Sequence, residues 1–233
     1  MTEPRDKDSW AAPVDKLHVG EVPPGAVNLN IEGRKLTGPL QGFGQMWQKT
    51  YRVGVGDVPP QKVIETWKSE YDRFWPPSNR FYAPITGIKP GEVGVINAKQ
   101  GPVRLSTGVL VLYVDDTSFA YVTPQGHPFA GWITFSAYEG GAGTVAQVQL
   151  LIRANDPIYE TGFMLGGSNT EDKMWQYTLH ALAEYFGATG EVETVKVKVD
   201  RRRQWSRFGN LRHNSMIRTW IRKPFGWGEK PSS

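Results

Sequence analysis

The stretch WITFSAYEGGAGTVAQVQLLIRANDPIYETGFMLGGSNTEDKMWQYTLHALAEYF, residues 132–186, decides the fold. It opens with two alternating segments, in which Ile133, Phe135 and Ala137, then Val148, Leu150 and Ile152, share one face. Gln147, Gln149 and Arg153 stand opposite, so one face of these strands is wet. Gly140-Gly141 joins the two as a hairpin. The period then changes. Trp175, Leu179, Leu182 and Phe186 recur at helical spacing on one stripe, and Gly187 supplies a left-handed stop. Ser168-Asn169-Thr170-Glu171 reads as a capping box, with the Ser168 hydroxyl accepting from the Glu171 amide and the Glu171 carboxylate reaching back. Burying the four stripe residues contributes about 6 to 12 kcal/mol before ordering entropy is charged. Strands that run into such a helix form a cup, and a cup holds something.

Working outward, residues 45–55 alternate, with Trp47, Tyr51, Val53 and Val55 on the face that also carries Lys49. Pro59-Pro60 then opens a stripe of Val63, Trp67, Tyr71 and Phe74, a short helix with Asp57 as its polar cap. Further strands are expected at 93–98, 103–114, 118–122, 132–138 and 144–153. Short turns separate them, so the sheet is antiparallel. A last strand over 193–199 extends the sheet edge, its lysines discouraging edge-to-edge association. The class is α+β: a curved antiparallel sheet wrapped around a long C-terminal helix. The organisation is an extended N-terminal arm (1–44), a central domain (45–200) and a basic aromatic C-terminal tail (201–233) packed on or near that domain.

The order of strand, helix, antiparallel strands and long closing helix resembles the helix-grip fold of the START and pollen-allergen-like superfamily, SRPBCC, over residues 45–187. A narrower resemblance lies in Tyr121-Val122-Thr123-Pro124-Gln125-Gly126-His127-Pro128, followed by Gly131 and Phe135. This segment is similar to the uncharacterised family indexed as domain of unknown function nineteen-ninety. That pattern continues with acidic residues after the glycine; here Trp132 and Ile133 stand there. The resemblance implies a fold and no established activity.

The 233 residues carry a net charge of +4, unevenly spread. Residues 191–233 hold eleven Lys and Arg against four Asp and Glu, +7, which leaves −3 for the first 190. The excess sits at Arg201, Arg202, Arg203 and Arg207 and continues through Arg212, Arg218, Arg222 and Lys223, interleaved with Trp205, Phe208, Trp220, Phe225 and Trp227. Arginines between rings suit an anionic membrane surface or an acidic partner; packing of the rings on the domain, across the cavity mouth, is the other reading. Sequence-specific nucleic-acid binding is not expected of a chain whose main body is net acidic. With no cysteine there is no disulfide, thiolate metal site or cysteine nucleophile. No apolar run approaches a membrane span and the first residues lack a signal's apolar stretch, so a cytoplasmic protein is expected.

No serine-hydrolase elbow, P-loop or paired-histidine zinc motif occurs, and neither metal nor cofactor is expected. His127, in a Gly- and Pro-rich turn between strands, is a candidate proton carrier or else holds its own loop; Tyr138 is a second candidate. Asp115-Asp116 sits at an expected hairpin turn and reads as a turn cap, and Glu171 and Asp172 as favourable charge at a helix start. Arg104 and Arg153 must face solvent or be paired, and an arginine in the cup would hold an anionic group. The lining expected for a ligand is Trp67, Tyr71, Arg104, Phe135, Leu150, Trp175, Leu179 and Leu182. The leading expectation is a binding protein for a small hydrophobic molecule such as a lipid or polyketide, held between sheet and helix. The alternatives are an enzyme on the same scaffold, a cyclase, dehydratase or hydrolase, or an interaction protein that uses its basic tail on an anionic membrane or nucleic acid.

Overall fold

Alternation of apolar and polar residues builds most of this molecule. The computed structural model describes residues 7–100 and 103–222. After β1 (Leu36–Thr37) come β2 (Met46–Gly54), α1 (Pro60–Ser69), β3 (Asn79–Tyr82), β4 (Val93–Gln100) and β5 (Val103–Val114). Next follow β6 (Ser118–Pro124), β7 (Phe129–Gly140), β8 (Gly143–Ala154), α2 (Pro157–Gly162), α3 (Ser168–Tyr185), β9 (Glu193–Asp200) and α4 (Ser215–Arg222). The sheet runs β3-β4-β5-β6-β7-β8-β2-β9, all antiparallel, with β1 paired to β6. It curves around α3 without closing, which is the helix-grip arrangement.

The inner face follows the sequence pattern. Ile133, Phe135, Val148, Leu150 and Ile152 are buried together with Trp175, Leu179 and Leu182 of α3. Gly187, at φ +79°, ends that helix in the left-handed region that favours glycine. Asp115 closes its turn as expected, accepting from the backbone amides of Thr117 and Ser118.

The helix start differs from the capping-box reading. Ser168 has helical backbone angles and its side chain caps nothing. The helical run is capped twelve residues earlier at Asp156, whose carboxylate accepts from the amides of Ile158 and Tyr159, with Pro157 in the first position. A π-helical turn, Phe163–Gly167, links α2 to α3 and bends at Gly166, where φ is +118°. The α1 cap also differs: Pro59 occupies the cap position and no side chain accepts there.

Residues 7–44 cross the outer face of the sheet, where Leu17 and Ile31 form a second core with Val95, Leu110 and Val122. After α3, β9 pairs along β2, and the chain then turns over a 3₁₀ segment, Trp205–His213, to place α4 against β5. Buried polar groups dock this last segment. Asn30 Nδ2 donates to the Ser106 and Ser215 carbonyls and to Thr219 Oγ1, while Asn214 Nδ2 donates to Asp156 Oδ2 at 2.8 Å. Of the tail rings, Trp205 meets Phe43 edge-on yet stays largely exposed, and Phe208 and Trp220 are exposed, because the buried face of α4 is made by Ser215 and Thr219. Lys223, Phe225 and Trp227 lie outside the described residues.

Candidate functional site

The deep half of the cup is filled by its own side chains. Trp67 of α1 meets Phe135 edge-on at 5.3 Å, Phe135 stacks on Phe119 at 4.6 Å, and Tyr71 meets Phe81 at 4.5 Å. Ring pairs of this geometry add about 0.5 to 1.5 kcal/mol each beyond the area they bury. Trp67, Phe135, Leu150, Leu179 and Leu182 belong to this packing. Of the expected lining, Tyr71 and Trp175 border open space inside the cup. Arg104 lines none of the three cavities; its neighbour Leu105 takes the inward position, and Arg104 Nη1 is shielded from solvent with no hydrogen-bond partner among the described residues.

The open space is gathered at the kinked end of the helix. An inner cavity of about 130 Å³ is bounded by Tyr71, Tyr121, His127 and Trp175. A groove of about 390 Å³ runs outward between Leu105, Tyr159, Phe163, Met174 and Met216. A second groove, about 360 Å³, lies on the other side of Phe163 against Trp47, Lys49, Lys198 and Arg203. Phe129 borders all three, and Phe163 and Glu171 border both grooves. Phe129 and Phe163 stack at 4.6 Å, 4° from parallel, so two rings form the partition.

The floor of the second groove carries a buried charge network that sequence reasoning missed. Lys49 points inward from β2 and donates to Glu171 Oε2 at 2.7 Å, Asp172 Oδ1 at 2.9 Å and Ser168 Oγ at 3.1 Å. Tyr51 donates to Asp172 Oδ1 at 2.6 Å, and Lys196 of β9 to Asp172 Oδ2 at 2.7 Å. Burial works against the Lys49 charge, but the Glu171 and Asp172 carboxylates together outweigh it, and its pKa is raised. Burial raises the Glu171 carboxyl, with Lys49 opposing. For Asp172 burial is overcome by the Lys196, Tyr51 and Lys49 bonds, and its carboxyl is held below the usual range. The residues read as a capping box are thus the acceptors of a buried lysine. The signal was Lys49 itself, a charge between Trp47 and Tyr51 on the buried face of a strand.

His127 is buried, and its Nδ1 accepts from the Phe129 amide at 3.0 Å, so it braces the turn that aims Phe129 into the partition. Burial lowers its pKa to about 4, which makes it a neutral imidazole at pH 7. Tyr138 is exposed on the outer face of β7, nine residues and about 30 Å of strand beyond Phe129, and borders none of the cavities. The two proton-carrier candidates are therefore far apart. Arg153 does not face solvent as the wet side of its strand suggests. It is fully buried, donating to Asp200 at 2.6 Å and to the Gly44 and Arg202 carbonyls, because β9 returns the chain across it. Among the tail arginines, Arg203 reaches the second groove and pairs with Glu160 at 3.0 Å, while Arg201, Arg202 and Arg207 are exposed. Among the described residues no group of three or more His, Cys, Asp or Glu could hold a metal ion, and no helix is long and apolar enough to cross a membrane.

Neither a family model nor a curated protein sequence matches this chain. Solved structures similar to it include the di-domain ARO/CYC StfQ from the steffimycin biosynthetic pathway, at 11% identity and a TM-score of 0.46, covering 61% of this chain and 50% of that one. Ara h 8.0201 aligns at 15% identity and 0.41, over 60% and 97%. Protein Ms6760 from Mycobacterium smegmatis aligns at 13% and 0.45, over 61% and 91%. Superpositions of this quality carry no statement about ligand or activity.

Proposed function

We propose that this protein binds a small amphipathic molecule at the mouth of the cup, with its apolar body in the groove beneath the kinked helix. The observation that carries this reading is the convergence of three cavities on Phe129, one with a basic rim and one with an aromatic lining. Apolar walls with a few convergent polar groups are what a ligand site needs. At the outer end, Lys198 sits over the Trp47 ring at 4.6 Å and is ion-paired to no carboxylate among the described residues, so it suits an acidic end group. At the inner end, the buried hydroxyls of Tyr71 and Tyr121 make no hydrogen bond at bonding distance and would accept a carbonyl or hydroxyl partner. A lipid or polyketide with a carboxylate meets both requirements. The binding reading is preferred to an enzymatic one because His127 spends Nδ1 on its own loop and Tyr138 lies elsewhere.

The test is competition for a fluorescent anionic probe, anilinonaphthalene sulfonate, by medium-chain fatty acids and by aromatic polyketide acids. Displacement by either class, weakened about tenfold in Lys198→Gln, supports the reading. A folded protein that takes up no probe, or whose probe is insensitive to Lys198→Gln and Phe129→Ala together, removes it.

A further inference from the structure

Beside the groove mouth the surface is both apolar and strongly basic. Leu165 is 83% exposed, Trp205 69%, Met164 68% and Leu40 65%, with Phe208 half out of the protein. These side chains are tied into one region. Arg203 Nη2 lies 3.1 Å from Met164 Sδ, Trp205 packs edge-on against Phe43 at 5.3 Å, and Asn210 Nδ2 donates to the Gln41 carbonyl next to Leu40. Residues 201–222 contain seven arginines and no Asp or Glu. Arg201 and Arg207 are exposed and ion-paired to nothing among the described residues. Leu165 stands on the tip of the helix kink, where it is left exposed among the described residues. Exposed large apolar side chains gathered in one region in this way mark an interaction surface more often than a face that meets only water.

We propose that this face docks on an anionic lipid bilayer, with Met164, Leu165, Trp205 and Phe208 entering the headgroup region and the tail arginines meeting lipid phosphates. The chemistry favours a bilayer because two kinds of group are needed together: arginines attracted to negative charge, and aliphatic side chains that gain only from an apolar phase. A nucleic acid would use the arginines and the two rings but has no use for Leu165, Met164 or Leu40. The docked face carries Arg203 and Met164, which also border the second groove, so the mouth would open toward the bilayer. The proposal does not depend on what fills the groove.

The experiment is flotation of the full chain with vesicles of phosphatidylcholine alone, or containing one third phosphatidylglycerol, at 50 and 500 mM salt, with single-stranded DNA as a parallel ligand. Binding to the anionic vesicles is expected, with little to the neutral ones and loss at high salt. Arg201→Gln with Arg207→Gln should weaken partitioning by roughly fivefold per arginine. Leu165→Ser with Met164→Ser, both exposed and so tolerated by the fold, should weaken it at least tenfold while leaving any DNA binding unchanged. Three results overturn the proposal: no flotation with anionic vesicles, flotation indifferent to the two serine substitutions, or tighter binding to DNA than to vesicles at equal salt. Probe binding in solution by a protein that does not float would leave the groove reading standing and remove this one.

Discussion

The two ends of the cup are built from similar residues and end in opposite conditions. At the deep end, Trp67 of α1 and Tyr71 of the 3₁₀ turn that follows it pack against Phe119, Tyr121 and Phe135, and rings meet rings at close-packed distances. At the mouth, Phe129 and Phe163 stack on each other with open space on either side. The difference comes from the backbone. Over the deep end the apolar stripe of α3 packs on the sheet; at the mouth the helical run bends at Gly166, and buried charge ties its start to β2. An aromatic-rich cup is therefore not by itself a cavity: the grooves lie beside the bend in the covering helix.

That contrast can be broken at either end. Trp67→Ala should cost about 3 to 5 kcal/mol in a urea titration yet leave probe affinity at the mouth unchanged in the surviving folded fraction. Equal loss of stability and probe binding would mean that the two ends are one site. Lys49→Ala should cost about 3 to 5 kcal/mol as well, because Glu171 and Asp172 remain buried without their shared cation. Lys49→Met combined with Glu171→Leu should recover part of that loss; no recovery would show that packing, and not charge, holds the helix start.

His127 gives the contrast a pH axis. Its folded pKa, about 4, lies below the ordinary 6.5, so between those values the unfolded chain binds more protons. Stability is lost as pH falls through that window, by about 3 kcal/mol for this group. Other groups titrate nearby: burial raises Asp156 and Glu171, which opposes the trend, and burial lowers His213, which adds to it. The difference between wild type and His127→Asn isolates the term, and parallel curves from pH 6.5 to 4 would exclude it. Smallest in stability is Phe129→Ala. This half-buried residue should cost about 1 to 2 kcal/mol, less than the deep rings, while changing probe affinity by about tenfold. A stability loss matching that of Trp67→Ala would make the partition part of the core.

The sheet and its closing helix were readable because they rest on periodicity over many residues, as in Val148, Leu150 and Ile152 or Trp175, Leu179 and Leu182. The helix start was misread because a local motif, Ser168 to Glu171, satisfies a local rule while its partner Lys49 sits 122 residues away from Glu171. Asp156-Pro157 was an equally good start signal and lay in the same stretch. The burial of Arg153 followed from a strand that returns only after α3, and no window around Arg153 contains Asp200. Most of the ligand lining expected from the sequence became core because periodicity tells which face is inward but not whether the inside is full.

The pairing of β2 with β9 has a consequence for synthesis. On a ribosome, β2 emerges before β8, which pairs with it on one side, but its other edge must wait for residues 193–200. Until then a row of unpaired backbone groups is open to neighbouring chains. In the same interval Asp172 lacks Lys196, and Arg153 lacks Asp200. A nascent chain stalled between residues 154 and 193 thus keeps one edge of β2 open, and chaperone dependence is expected over that interval.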